Sequence, residues 1–317
     1  MASNEEQLRE TLAMIAKMAQ DVVGGGDYSD DDHDNGRAPV LVCTPKVLPA
    51  RLVVKAATTA TDINPVNAPL VGPLADVPGD LSVLPPEHIA VLTSKYWGPK
   101  PRQLTVSFME STPADLRTRI IAHMNAWTKT GCISFAETHG VGQVRISRGS
   151  GGYWSYLGTD ILLIPKNRPT MNLQGFSMST PESEYHRVVR HETGHTLGFP
   201  HEHMRKALVA RIDPEKAYEY FRRTQGWDKK TVDQQVLTPL DEKSLMSTPA
   251  DQTSIMCYQL PGSITRDGKP IVGGLDIDKT DYAFAGKIYP KHAQVLADPR
   301  EDEWDESEDV TDVEAGV

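Results

Sequence analysis

Residues 191–201 read His-Glu-Thr-Gly-His-Thr-Leu-Gly-Phe-Pro-His, and several of these side chains could do chemistry together. On an α-helix His191 and His195 stand one turn plus about 40° apart, so both imidazoles leave the same face. Such a pair can fill two tetrahedral positions on a zinc ion at about 2.0–2.1 Å. Glu192 lies beside the pair and can reach a water on the metal without becoming a ligand. Gly198 tolerates the left-handed turn that ends a helix, and the reversal brings His201 back as a third ligand. Three protein ligands leave one position for water, the arrangement of a catalytic rather than a structural zinc. One Zn2+ per chain is therefore expected. His186 and His203 flank the motif off its spacing, His203 being the better candidate for an outer contact.

The elements that must position this set can be read around it. A helix is expected from Thr180-Pro181-Glu182 to Gly198. Upstream, Leu104, Val106 and Phe108 alternate as one face of a strand. Thr112, Pro113 and Asp115 start a helix whose buried stripe is Leu116, Ile120, Met124 and Trp127. Further strands are predicted at 132–137, 143–147 and 160–164. The last of these, Ile161-Leu162-Leu163-Ile164, is apolar on both faces and reads as central. Gly151-Gly152-Tyr153-Trp154-Ser155-Tyr156 reads as an edge strand entered through a flexible turn. Helices are expected at 214–223 and at 279–288, the latter with Asp278 as N-cap. Residues 38–95 are rich in Pro, Ala and Val and read as extended or loosely packed, with brief strand-like runs such as Leu52–Val54.

The zinc signature formed by His191, Glu192, His195, Gly198 and His201 resembles that of metzincin peptidases. Ser254-Ile255-Met256-Cys257-Tyr258 looks like their Met-turn. The continuation Phe199-Pro200-His201-Glu202-His203-Met204-Arg205, and a Tyr two residues after the Met, are similar to the astacin family in particular. So are Gly152–Gly158 and Thr130–Phe135. The resemblance covers about 96–292. It implies an α+β, two-lobed zinc endopeptidase with a twisted mixed sheet, two long helices above the cleft and an irregular lower lobe. It implies Tyr258 as an extra ligand at rest and stabiliser of the tetrahedral intermediate, and Met256 as the apolar floor. Glu202 would receive the new N-terminus of a mature enzyme. Tyr153, Trp154, Ser155 and Tyr156 would bind an extended protein or peptide substrate. The edge-strand cysteine of the family is Tyr153 here, and a C-terminal partner for Cys132 is missing.

The chain divides into an N-terminal region (1–95), a peptidase domain (96–292) and a tail (293–317). Ser3 and Glu6 fit a capping box for an amphipathic helix over 3–23, followed by Gly24, Gly25, Gly26 and an acidic linker. The formal charge of −10 is uneven: −6 over residues 1–37, −9 over 298–317 and +5 between. That middle excess forms no basic stripe, which argues against a nucleic-acid partner. The N-terminal helix or the acidic tail could bind a protein partner, and a zinc-containing effector acting through them is the alternative function. No apolar stretch approaches a membrane span. Three cysteines, Cys43, Cys132 and Cys257, and no recognisable signal peptide suggest free thiols and a cytoplasmic or non-classically exported protein. Val77-Pro78-Gly79-Asp80 resembles the Gly-Asp end of an astacin prosegment, whose carboxylate would occupy the water position on zinc. Asp80 is thus a candidate latency ligand, with the Cys43 thiolate as its rival and a plain Pro-Gly-Asp turn in a linker as the other reading.

Overall fold

The computed structural model describes residues 43–44, 46–68, 94–239 and 250–291. The expected helix over 3–23, Asp80 and the acidic tail from Asp298 lie outside them. Five short strands form one mixed sheet: β1 (Arg102–Phe108), β2 (Ile133–Glu137), β3 (Val144–Ser147), β4 (Tyr153–Ser155) and β5 (Met171–Leu173), in the order β2-β1-β3-β5-β4. The first four neighbours in that order run parallel, and β4 pairs antiparallel with β5 at the edge. Leu104 and Val106 of β1 are fully buried, as expected for a strand flanked on both sides in a covered sheet.

Helix α2 (Ala114–Met124) begins after Pro113 and lays Leu116, Ile120 and Met124 into the core. It runs on into a tight turn that buries Trp127, whose indole N–H donates to the Arg190 carbonyl at 2.8 Å. The consecutive stretches Glu182–Glu184, Tyr185–Val189 and Arg190–Thr196, together α3, follow without a break in helical backbone angles. Its middle turn is widened to i→i+5 bonding, a feature common at functional sites. In the lower lobe α4 (Pro214–Gln225) is capped by Asp213 and ends on Gly226 in the left-handed region. Near the C-terminal end of the fold α5 (Lys279–Ile288) opens with a reciprocal capping box between Asp278 and Asp281. None of the helices among the described residues is long and apolar enough to cross a membrane.

Two expectations fail. The run Ile161–Ile164 is not a strand: Gly158–Leu163 forms a tight helical turn, and the strand between β3 and β4 is Met171–Leu173. Only Ile161 of that run is fully buried, and Leu162 faces solvent; period alone cannot separate a short apolar strand from a short apolar turn. Residues 38–95 are not all extended either. Val53–Ile63 forms helix α1, burying Val53, Ala56, Ala57 and Ala60. Its alanines sit on one helical face, and packing outweighs the β-branched residues around them. Asn67, fully buried just beyond α1, ties this region to the main body. Its amide donates to the carbonyls of Ala60 and Tyr96, and its oxygen accepts from the Tyr96 N–H.

The apolar interior falls into two principal clusters. One joins the sheet to α2, α3 and α5 and includes Met256; the other fills the lower lobe around Ile212, Phe221, Val236, Leu260 and Ile271 and includes Tyr258 and Cys43.

Candidate metal centre

Helix α3 delivers His191 and His195, both buried, from the same face. The helix then stops. Gly198 adopts φ +95°, and its N–H caps the His195 carbonyl. A Cβ there would also press against Lys95 and Tyr96 at about 3 Å, so the left-handed angle and the crowding both select glycine. The reversal returns His201 to the pair. Its Nε2 lies 3.2 Å from Nε2 of His191 and 3.0 Å from Nε2 of His195. Ligands on a tetrahedral ion at about 2.0–2.1 Å stand about 3.3 Å apart, so these separations fit one zinc.

The outer contacts fix which nitrogen is offered. His191 Nδ1 donates to the Ile255 carbonyl at 2.6 Å and His195 Nδ1 to the Phe199 carbonyl at 2.8 Å. Both Nε2 lone pairs are thereby turned inward. Burial pushes His191 down to about 4 and His195 and His201 well below the ordinary imidazole value, so all three are neutral and ready to ligate. Both carboxylate oxygens of Glu192 and the Tyr258 hydroxyl are buried without hydrogen-bond partners. Burial, only partly offset by the neighbouring Cys43 thiol and Arg187, pushes Glu192 up to about 8, and burial together with nearby Cys43 and Glu192 pushes Tyr258 well above its ordinary value. Orphaned polar atoms grouped around three free imidazole lone pairs are what a metal with a polar substrate would satisfy.

Beneath the imidazoles runs the turn Ser254–Cys257, closed by the Cys257 N–H on the Ser254 carbonyl. Met256 packs so tightly on α3 that a Cβ at Gly194 would stand 2.3 Å from its sulfur. Asp281 of α5 anchors this turn, accepting from the Ser254 hydroxyl at 2.6 Å and the Ile255 N–H at 2.9 Å. Neither Gly194 nor Asp281 was singled out by sequence reasoning; the Asp278-x-x-Asp281 spacing was the one available signal for the latter. The Tyr258 ring stacks on His203 (centroids 4.1 Å, 13°) and lies 4.2 Å from the His201 ring. His203 itself is held by the Gln235 carbonyl at 2.9 Å. Glu202 accepts from the Asp251 N–H at 3.0 Å beside Arg205, and burial pushes it up to about 7.

A fourth potential ligand, of a second type, joins the cluster. Cys43 is buried, and its thiol sulfur and one nitrogen from each of His191, His195 and His201 all lie within 4.8 Å of one another. Cys43 also sits beside Glu192 and Tyr258. It is carried there by backbone pairing: the Thr44 N–H donates to the Tyr153 carbonyl and the Lys46 N–H to the Ser155 carbonyl, parallel to β4. The edge formed by Tyr153, Trp154, Ser155 and Tyr156 is therefore covered by the chain's own segment. The Lys46 ammonium lies over the Trp154 ring. Cys43, Cys132 and Cys257 are all free thiols.

The sequence matches the astacin peptidase family over residues 91–269. A stretch of 100 residues is 34% identical to zinc metalloproteinase nas-27 of Caenorhabditis elegans, covering 31% of this chain and 21% of that protein. The chain thus spans about a fifth of that curated relative's length. The structure of myroilysin aligns with a TM-score of 0.59 at 29% identity, over 64% of this chain and 98% of that one. The matched residues take in the edge strand, the three converging imidazoles, Glu192 and the turn at Met256, and the chain belongs to the astacin family.

Proposed function

We propose that the chain is a zinc-dependent endopeptidase, and that with the segment at Cys43 in place it is latent. The observation that carries this reading is the convergence of His191, His195, His201 and Cys43 on one point, with Glu192 alongside. His191, His195 and His201 would hold the zinc. When bound, zinc supplies Lewis acidity that lowers the pKa of a coordinated water towards about 7 and polarises a carbonyl. Glu192 takes the proton of the attacking water and returns it to the leaving amine. Tyr258 donates a hydrogen bond from its hydroxyl to the carbonyl oxygen as charge develops on it. Once the segment at Cys43 is displaced, an extended protein or peptide substrate pairs with the uncovered edge of β4 as an added strand.

Latency follows from the same geometry. A thiolate among three imidazoles completes a four-ligand set of the kind found in closed zinc sites, and Thr44 and Lys46 pair with the edge on which substrate would lie. This favours Cys43 over Asp80, which lies outside the described residues, as the latency ligand. The test compares zinc-loaded full chain, Cys43→Ser and Asp80→Ala on one peptide, with and without chelator. Cys43→Ser is expected to cleave and the unsubstituted chain to remain silent. The Cys43 thiol should resist a thiol reagent until chelator is added. A full chain as active as Cys43→Ser defeats latency, and release by Asp80→Ala alone reassigns the ligand. No chelator-sensitive cleavage by any of them defeats the peptidase reading.

A further inference from the structure

A second set of imidazole and carboxylate atoms converges away from the catalytic trio. Glu182 and His186 stand one turn apart on α3, and His123 comes from the last turn of α2. Glu182 Oε1 lies 3.1 Å from His123 Nε2 and 3.4 Å from His186 Nε2. One ligand atom from each of the three lies within 4.8 Å of the other two. These separations match the edges of a tetrahedron around an ion at about 2.0–2.1 Å, as do those of the catalytic imidazoles.

Two of the three residues have the outer contacts of a metal site, while His123 Nδ1 is buried without a partner. Asp276 Oδ2 accepts from His186 Nδ1 at 2.9 Å, which leaves the Nε2 lone pair facing inward. Arg119 donates to the other oxygen of Glu182 at 2.6 Å, so Oε1 is held in place. Carboxylate-bound imidazole and a fixed ligating carboxylate are typical outer arrangements. Burial holds the His123 imidazole below its ordinary value, so it is neutral at pH 7. The Glu182 side chain is 57% exposed, which gives an ion and its water a route from solvent.

Two guanidiniums oppose the ion. Arg190 donates to Asp276 Oδ1 at 2.5 Å, and its other nitrogen lies 3.3 Å from His186 Nε2. An entering cation displaces that second contact and leaves the first. The charges of Glu182, Asp276, Arg119 and Arg190 cancel, so no net negative field draws the ion in. The ligand set therefore holds metal more weakly than the buried trio does. Two imidazoles and a carboxylate suit zinc and its neighbours nickel and copper rather than calcium or magnesium.

We propose that His123, Glu182 and His186 form a second, weaker site for a zinc-class divalent cation, one that staples α2 to the N-terminal half of the helix bearing His191 and His195. The test is equilibrium dialysis of the full chain, already carrying one equivalent of zinc, against rising zinc chloride with metal content measured. The unsubstituted chain is expected to take up a second equivalent. Glu182→Gln and His186→Gln should each weaken that equivalent at least about tenfold while keeping the first, and Asp276→Asn should weaken it about tenfold. Zinc beyond the first equivalent should also raise the melting temperature of the unsubstituted chain but not of Glu182→Gln. Saturation at one equivalent overturns the proposal. So does a second equivalent that Glu182→Gln and His186→Gln retain unchanged, which would place it on other histidines and leave these three as an ion-paired network only.

Discussion

In the proposed reaction Glu192 is the pivotal residue, because among the described residues it is the one buried carboxylate beside the imidazoles and neither of its oxygens is otherwise engaged. Glu192→Gln keeps the shape and the three imidazoles but cannot accept the proton. In a Cys43→Ser background, zinc content is expected to stay at the parent level and kcat to fall about 10²–10⁴-fold, as measured by metal analysis and peptide hydrolysis on the same sample. Loss of zinc from that variant would make Glu192 a ligand. Tyr258→Phe retains the stacking on His203 and removes the hydroxyl. Here kcat and kcat/KM should fall together by about 10²-fold with KM little changed. Unchanged kcat would reduce Tyr258 to a packing residue. At this scale the ligand trio and Glu192 were legible, since helical geometry turns a spacing of four into a shared face. Cys43 was not legible as the nearest thiol. Its place depends on pairing with Tyr153 and Ser155, more than a hundred residues away, which no local pattern around it encodes.

The elements around the site are held by contacts that leave little slack. Gly194 faces the Met256 sulfur with no room for a methyl group. Alanine would raise helix propensity by about 1 kcal/mol, yet overpacking a rigid floor costs about 1–3 kcal/mol. Gly194→Ala is therefore expected to lower stability in denaturant unfolding. A stabilised variant would show that the floor moves. The long helices and the strands β1, β2 and β3 could be read from the sequence because their apolar periods are long or strictly alternating. The turn at Gly158–Leu163 and helix α1 could not. Four apolar residues in a row carry no period, and the helix-forming alanines of α1 are diluted by valines and threonines. The anchoring of the Met256 turn by Asp281 escaped for a different reason: the two partners are joined only in the folded chain.

Across the whole molecule, the centre draws on α3, the loop after it, the turn at Met256 and the segment at Cys43, so bound zinc ties stretches far apart in sequence. Removing it should loosen all of them together. At free zinc about a thousandfold above Kd, mass action contributes about 4 kcal/mol. For a domain of this size a chelator should then lower the melting temperature by on the order of 10 °C. An unchanged melting temperature in calorimetry would mean that the fold stands without the ion.

The Tyr289 hydroxyl accepts from the Trp97 N–H and donates to the Leu197 carbonyl, clasping the beginning of the peptidase body, the end of the zinc helix and the last residues of the fold. That clasp sets an order in time. On the ribosome, His201 is made 88 residues before Tyr289, a lag of roughly 4–18 s at ordinary synthesis rates. Throughout that interval the imidazoles exist but the end of their helix is unlatched, and for all but its last eight residues the Asp281 anchor is still to come. Cys43, by contrast, is synthesised before any of them. On the proposed latency the stopper is present before the blade is assembled, and a growing chain would have no moment at which an open site precedes its own restraint.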